Sequence, residues 1–310
     1  MLRRDVIAAI AATAAMTDAV PTAAQAPAPQ SPTPQSPTGV PRKAVLTYPN
    51  KTMSAKDAVA LVTGSNRGVG LGFVKVLLAR GAKRVYATAR NPEHFAELAA
   101  LDPGRVVPLE LDVTNDAHRR AAAEAATDLT WLINNAAYPG GRNTEERRIL
   151  SATNLDDLKR SMDTNCWAPA ELARLFAPII LKNGGGVIAN ILTAGAWYCL
   201  PEYSGYSISK AAEMMATQGL RAELDREPIL VASVFTGDVD TRATPVGHTG
   251  NFTPEQHAEE VLDAVARGES DIYAAGSYGM RARIDEDPAA FHRRVIDRFH
   301  DRPLVIKNHI

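Results

Sequence analysis

Tyr206 and Lys210 stand four residues apart in Tyr206-Ser207-Ile208-Ser209-Lys210, a spacing that stacks a phenol and an ammonium on one face of a helix. A phenol with its ordinary pKa of about 10 carries protons poorly near neutrality, and a neighbouring cation lowers that value by favouring the phenolate. In that setting Tyr206 can give a proton to a carbonyl oxygen or take one from an alcohol. Alone, the pair is a common accident: a half-buried tyrosine beside a lysine with a snorkelling stem. Its weight comes from what stands upstream.

An apolar run at 58–63 passes into Thr63-Gly64-Ser65-Asn66-Arg67-Gly68-Val69-Gly70, which opens a stretch of helical period at 69–80. Gly64, Gly68 and Gly70 let the backbone turn sharply and let a pyrophosphate approach the helix N-terminus, where free N–H groups and the dipole favour negative charge. No Lys-Ser/Thr pair follows, which excludes a P-loop NTPase. The second apolar run ends in Thr88-Ala89-Arg90, where an NAD-selective protein carries an acid on the ribose 2′-hydroxyl. Arg90, helped by Arg67, would instead hold a 2′-phosphate through charge-assisted hydrogen bonds, so these residues point to NADP.

Short apolar runs at 58–63, 84–88, 105–109, 131–134, 187–192 and 230–235 read as strands, and stretches at 69–80, 155–182 and 207–226 read as helices. This alternation predicts an α/β fold, a Rossmann-type doubly wound parallel sheet in a single domain, with ligand at the carboxyl ends of the strands. A helix over 257–267 with Thr253 near its start, a strand at 272–274 and a tail helix from Pro288 to Phe299 complete the chain. The tail carries no chemistry and is expected on the periphery.

The turn Thr-Gly-x-x-x-Gly-x-Gly and the Tyr-x-x-x-Lys pair, in this order and spacing, resemble the short-chain dehydrogenase/reductase family, over about residues 56–275. The resemblance implies that Gly64, Ser65, Asn66, Arg67, Gly68, Val69 and Gly70 line the cofactor phosphates and ribose, with Asp112 and Val113 beside the adenine. It places Asn135, Ala136, Tyr206, Lys210, Val239 and Thr241 along the rest of the cofactor. The family's Asn-Asn-Ala-Gly reads Asn134-Asn135-Ala136-Ala137 here, and the extra methyl of Ala137 is expected to be tolerated. Thr193, thirteen residues before Tyr206, stands where relatives carry a serine hydroxyl. Threonine can make the same hydrogen bond to a substrate oxygen, with a methyl that crowds the pocket. Asn165 matches the asparagine that supports a water leading to the lysine, and a mid-helix asparagine is intrinsically unfavourable without a specific task. Thr236 replaces a proline before the nicotinamide segment.

The resemblance therefore implies an NADP-dependent oxidoreductase that interconverts a carbonyl compound and an alcohol by hydride transfer. Tyr206 would act as general acid/base, with Lys210, Thr193 and Asn165 in support. Trp197, Tyr198, Leu200, Pro201 and Tyr203, with the 242–252 stretch, would form the substrate wall and favour an apolar or aromatic carbonyl compound. The alternatives are a non-catalytic NADP-binding regulator, which would be expected to lack Tyr206 or Lys210, and an epimerase or dehydratase on the same scaffold. The latter commonly carry longer C-terminal substrate domains than the roughly seventy residues that follow Thr241.

Composition narrows the partners. Of 310 residues, 45% are hydrophobic and 22% charged, with a net charge of -1, which gives no pull toward nucleic acid or anionic membrane. The expected partner is a small molecule, with a homo-oligomer left open as the assembly and no membrane span expected. Cys166 and Cys199 are expected as reduced, packed thiols, and the histidines lack metal-site pairing and are expected at the surface. Arg3 and Arg4 before a short apolar run, then Ala24-Gln25-Ala26, read as a twin-arginine-like signal over 1–26, followed by a proline-rich linker over 27–52 and the dinucleotide-binding body over 53–310. This ordering predicts a periplasmic protein; the alternative is a cytoplasmic one that starts at Met53.

Overall fold

Strands that are apolar at nearly every position can be buried on both faces, and here they form one sheet with helices on either side. The strands are β1 (Val59–Val62), β2 (Arg84–Ala89), β3 (Val106–Glu110), β4 (Trp131–Asn134), β5 (Gly186–Thr193), β6 (Ile229–Thr236) and β7 (Asp271–Ala274). They lie in the order β3-β2-β1-β4-β5-β6-β7, all parallel. The computed structural model describes residues 45–241 and 251–300. The expected signal segment, most of the proline-rich linker and residues 242–250 of the expected substrate wall lie outside the described residues.

The helices are α1 (Gly68–Ala79), α2 (Phe95–Ala99), α3 (Asp116–Ala125), α4 (Asp156–Met162), α5 (Ala168–Lys182), α6 (Ser204–Glu223), α7 (Pro254–Ala266), α8 (Ser277–Glu286) and α9 (Pro288–His300). Successive strand residues point to opposite faces. Ala60 and Val62 therefore pack with Phe73, Val74 and Leu77 of α1 and Val261 and Val265 of α7. Val59 and Leu61 pack with Leu172, Phe176 and Ile180 of α5. The strand order reverses between β1 and β4, which opens a crevice at their carboxyl ends. Thr253 caps α7 as expected, in a reciprocal capping box with Gln256.

Several expectations need correction. The stretch 155–182 is not one regular helix: a π turn at Asp163–Trp167 joins α4 to α5. The packed body starts before residue 53. Thr47 bridges Glu269, the Leu46 carbonyl accepts from the Ser270 amide (3.0 Å) and hydroxyl (2.9 Å), and Lys51 Nζ donates to the Leu224 carbonyl. The tail is not peripheral. Phe291 and Val295 of α9 are buried against Leu200, Tyr203 and Met280. Both cysteines are free, but only Cys166 is buried; Cys199 is exposed. Among the described residues no helix is long and apolar enough to cross a membrane, and no group of side chains is arranged to hold a metal ion.

His257 is also not a surface residue. It is fully buried on α7, edge-on to Phe73, with Nε2 at 3.0 Å from Thr236 Oγ1. The threonine that replaces the family proline thus pairs with a buried imidazole. Burial pushes the His257 pKa down from 6.5 to about 4. The unfolded chain takes up this proton below pH 6.5 and the folded chain does not, so the folded state loses stability as pH falls from 6.5 toward 4. The loss from this group is of order 3 kcal/mol. Melting temperatures measured across this range should fall less steeply for His257→Gln than for the parent; equal slopes would assign the acid sensitivity to other groups.

Candidate active site

The loop after β1 is shaped by what its glycines lack. Gly64 and Gly68 have φ of +64° and +54°, in the left-handed region that glycine enters without steric cost. A Cβ on Gly70 would lie 2.4 Å from the Gly64 carbonyl oxygen and 2.6 Å from Asn135 Nδ2, so the first turn of α1 is pressed directly onto the loop. Two threonines tie this floor together. Thr63 Oγ1 accepts from the amides of Asn135 (2.8 Å) and Ala136 (2.9 Å). Thr88 Oγ1 accepts from the Gly64 amide and donates to the Val62 carbonyl. Asn135 Nδ2 donates to the carbonyls of Thr63 and Gly64. The first turn of α1 has no side-chain cap, which suits it to receive an anion.

The other expected cradle residues fall around this floor. Arg67 and Arg90 are exposed at the start of α1 and just past β2, and Asn66 is half-buried. Burial raises the Asp112 carboxyl, but hydrogen bonds from the Thr114 hydroxyl and amide and the nearby Arg90 and His118 outweigh it and hold the group below its ordinary value. Val113 is buried in the core on the α5 face of the sheet, and Val69 packs against the core on the opposite face. Ala137 is exposed and its φ is not positive, so its methyl carries no backbone strain. Val239 bridges Phe252, and Thr241 approaches Gly68. Ser65 departs from expectation: it is fully buried and donates to the Thr88 carbonyl, so it braces the loop from behind.

The second half of the site sits on β5, α6 and the π turn. Tyr206, Lys210 and Glu213 follow one another along one face of α6. Lys210 and Glu213 are each 2% exposed; Lys210 Nζ donates to Glu213 Oε2 (2.6 Å) and to the Ile191 carbonyl of β5 (2.8 Å). The same nitrogen lies 6.0 Å from the centre of the Tyr206 ring. Burial pushes the Tyr206 phenol up; the Lys210 ammonium pulls it down and Glu213 pushes it up again. Burial alone would lower the Lys210 pKa, but Glu213 and Tyr206 reverse that and leave it raised. Burial pushes Glu213 up to about 7 against the pull of Lys210.

Asn165 is fully buried within the π turn. Its Oδ1 accepts from the Tyr138 amide (2.7 Å), and its Nδ2 donates to the Tyr138 carbonyl (2.8 Å) and Ser209 Oγ (2.9 Å). The side chain therefore clamps the segment after β4 to the helix that carries Tyr206. π turns shift the backbone register locally and recur at functional sites. Thr193, at the end of β5, and Tyr206 line one small recess with Gly195, Tyr198, Leu200, Tyr203 and Ser207.

The sequence profile of the short chain dehydrogenases matches residues 58–248, from β1 through the Tyr206–Lys210 helix and beyond. The chain belongs to the short-chain dehydrogenase family. Among its relatives is 1-deoxy-11-beta-hydroxypentalenate dehydrogenase of Streptomyces avermitilis, 29% identical over 250 residues, 76% of this chain and 90% of that one. A short-chain dehydrogenase of Burkholderia cenocepacia, solved in complex with NADP, is 34% identical, with a TM-score of 0.71 over 79% of this chain and 99% of that one. The NADPH-bound carbonyl reductase from chicken fatty liver is 27% identical, with a TM-score of 0.60 over 70% and 96%.

Within this short-chain dehydrogenase the expected substrate wall differs at two residues. Tyr198, Leu200 and Tyr203 line the recess, but Trp197 lies tilted against Phe235 (4.6 Å) and Tyr273 (5.8 Å), under Arg281. Pro201 is exposed. Thr63, Thr88, Tyr138 and Glu213 take part in the site without having been singled out in the sequence.

The geometry separates two glycines by their surroundings. Gly70→Ala drives a methyl into backbone and should cost at least about 2 kcal/mol. Gly219→Ala, inside α6 with nothing near its Cβ position, should stabilise by about 0.5–1 kcal/mol. Urea unfolding of the two variants checks the contrast; equal destabilisation would show that the loop yields where the structure has it locked.

Proposed function

We propose that this short-chain dehydrogenase uses NADP(H) to interconvert a carbonyl compound and an alcohol, with an apolar or aromatic group on the substrate. The observation that carries the reading is that Thr193 and Tyr206 line one recess while Lys210 lies behind the phenol on the same helix face.

The residues present fit a dinucleotide. Gly64 and Gly68 turn the backbone at positive φ and Gly70 lets α1 pack on the Gly64 carbonyl, which leaves an uncapped helix N-terminus that would receive a pyrophosphate. Arg90, where an acid would repel a 2′-phosphate, supports NADP over NAD. Bound at this floor, the nicotinamide supplies or accepts the hydride.

The chain's own groups handle the proton and the alignment. Thr193 and Tyr206 line the recess, so a carbonyl oxygen bound there would accept from both hydroxyls. Tyr206 gives its proton as negative charge develops on that oxygen, and takes it back in the reverse direction. Lys210, held charged by its partners, favours the phenolate left behind. Asn165 fixes the Tyr138 segment against α6 and so sets the distance between the two halves of the site. Tyr198, Leu200 and Tyr203 offer an apolar wall, and Phe291 of α9 meets Tyr198 edge-on at 5.0 Å, which closes the far side.

Fluorescence titration of NADPH and NADH, with turnover of a panel of aliphatic and aromatic ketones, tests the reading. Arg90→Asp should weaken NADPH at least tenfold and spare NADH. Tyr206→Phe should lower turnover by 10²-fold or more while NADPH binding persists. Binding of neither dinucleotide would defeat the assignment, and turnover confined to small charged carbonyl compounds would defeat the substrate class.

A further inference from the structure

Tyr206, Lys210 and Glu213 occupy positions i, i+4 and i+7 of one helix, so the phenol, the ammonium and the carboxylate form a single file along its buried face. A lysine ammonium has three N–H donors. The Ile191 carbonyl and Glu213 Oε2 take two of them, which leaves one for the side on which Tyr206 lies. Glu213 is itself sealed, and its other oxygen, Oε1, is buried without a hydrogen-bond partner among the described residues. A carboxylate in that position does little for the backbone or the core. Its one strong contact is the lysine.

We propose, building on the functional reading above, that Glu213 is a positioning residue of the catalytic machinery: the fixed counter-ion of Lys210, which offsets the ammonium's pull on Tyr206 and so sets the pH at which the phenol exchanges its proton. In a medium of low polarity the ammonium stabilises whichever anion is near, and here two compete for it. The carboxylate holds the lysine charged and fixed in direction, at the cost of a phenol that ionises less readily than it would beside an unshared ammonium. The titratable groups around Glu213 among the described residues are Lys210 and Tyr206 on its own helix and Cys166 from the π turn. β5 contributes only the uncharged Ile191 carbonyl to the pair. Burial raises the Cys166 thiol to about 11, and Glu213 adds to that, so the thiol is neutral where the pair is charged.

The test is a substrate-free titration of Tyr206 in the full chain with NADP bound, read as ultraviolet phenolate absorbance after subtracting the same titration of Tyr206→Phe. In Glu213→Gln, which keeps an acceptor for Lys210 and removes the charge, the Tyr206 midpoint should fall by about one pH unit or more. Glu213→Asp, which keeps the charge, should stay near the parent. A Glu213→Gln midpoint within about 0.2 unit of the parent, in protein that still binds NADPH, would overturn the proposal. Should Glu213→Gln fail to fold, the pairing is tested by thermal melting of Lys210→Met, Glu213→Leu and the double variant. Recovery of stability in the double variant over each single one supports a dedicated ion pair, and additive losses overturn it. Turnover by Tyr206→Phe, measured separately, decides the functional reading: if it persists undiminished, that reading fails whatever the titration shows.

Discussion

An ammonium sealed inside a protein either finds negative partners or gives up its proton, and the architecture around β5 and α6 follows from that constraint. Lys210 is 2% exposed, a position in which desolvation alone would neutralise it. Three features answer the problem. β5 offers the Ile191 carbonyl near its end, α6 brings the Glu213 carboxylate one turn beyond Lys210, and the phenol of Tyr206 stands one turn before it. Because the ammonium lies behind the recess rather than in it, its charge reaches a substrate only through the phenol. On the proposed function, proton transfer would be confined to that phenol oxygen.

The second constraint is mechanical. The glycine-loop floor and Tyr206 are built on opposite sides of β4, and the proposed function requires them to keep a fixed separation. Buried amides form the joint: Asn134 donates to Asn190 across the two strands, Asn190 donates to Thr217 on α6, and Asn165 clamps Tyr138. Polar contacts of this kind are rigid when satisfied and costly when incomplete; Asn134 Oδ1 is the one amide oxygen of this joint buried without a partner among the described residues. The tail helix α9 adds a wall that the sheet itself does not provide, with Phe291 and Val295 buried against the residues that line the recess.

The parallel sheet was legible because its strands are continuous apolar runs, and their observed limits fall within a residue or two of the pattern. The glycine loop was legible because few other tasks require those residue types at that spacing after a strand, and the Tyr206–Lys210 pair was legible only in combination with it. What escaped did so for physical reasons. The π turn around Asn165 leaves the helical period of 155–182 nearly intact, so periodicity cannot reveal it. Thr63 and Thr88 look like ordinary strand-end threonines until the loop they hold is seen. Glu213 reads as a polar residue on a helix, and only the packing of α6 shows that its side of the helix faces inward. The α9 tail has an arginine-rich surface that hides two buried apolar residues, and His257 was obscured in the same way, since a histidine's burial depends on neighbours distant in sequence. Ser65 lies within the motif, and its buried hydrogen bond to the Thr88 carbonyl is visible only in the folded loop.

The central claim is that hydride passes between the dinucleotide floor and a carbonyl carbon held at the Thr193–Tyr206 recess. The most direct test is reduction of an aromatic ketone with NADPH carrying deuterium at the transferable nicotinamide position, followed by mass analysis of the alcohol. The account predicts an alcohol that bears deuterium on its carbinol carbon and is formed at a greatly reduced rate by Tyr206→Phe. An unlabelled alcohol, or labelled alcohol formed equally fast without the phenol, would contradict it.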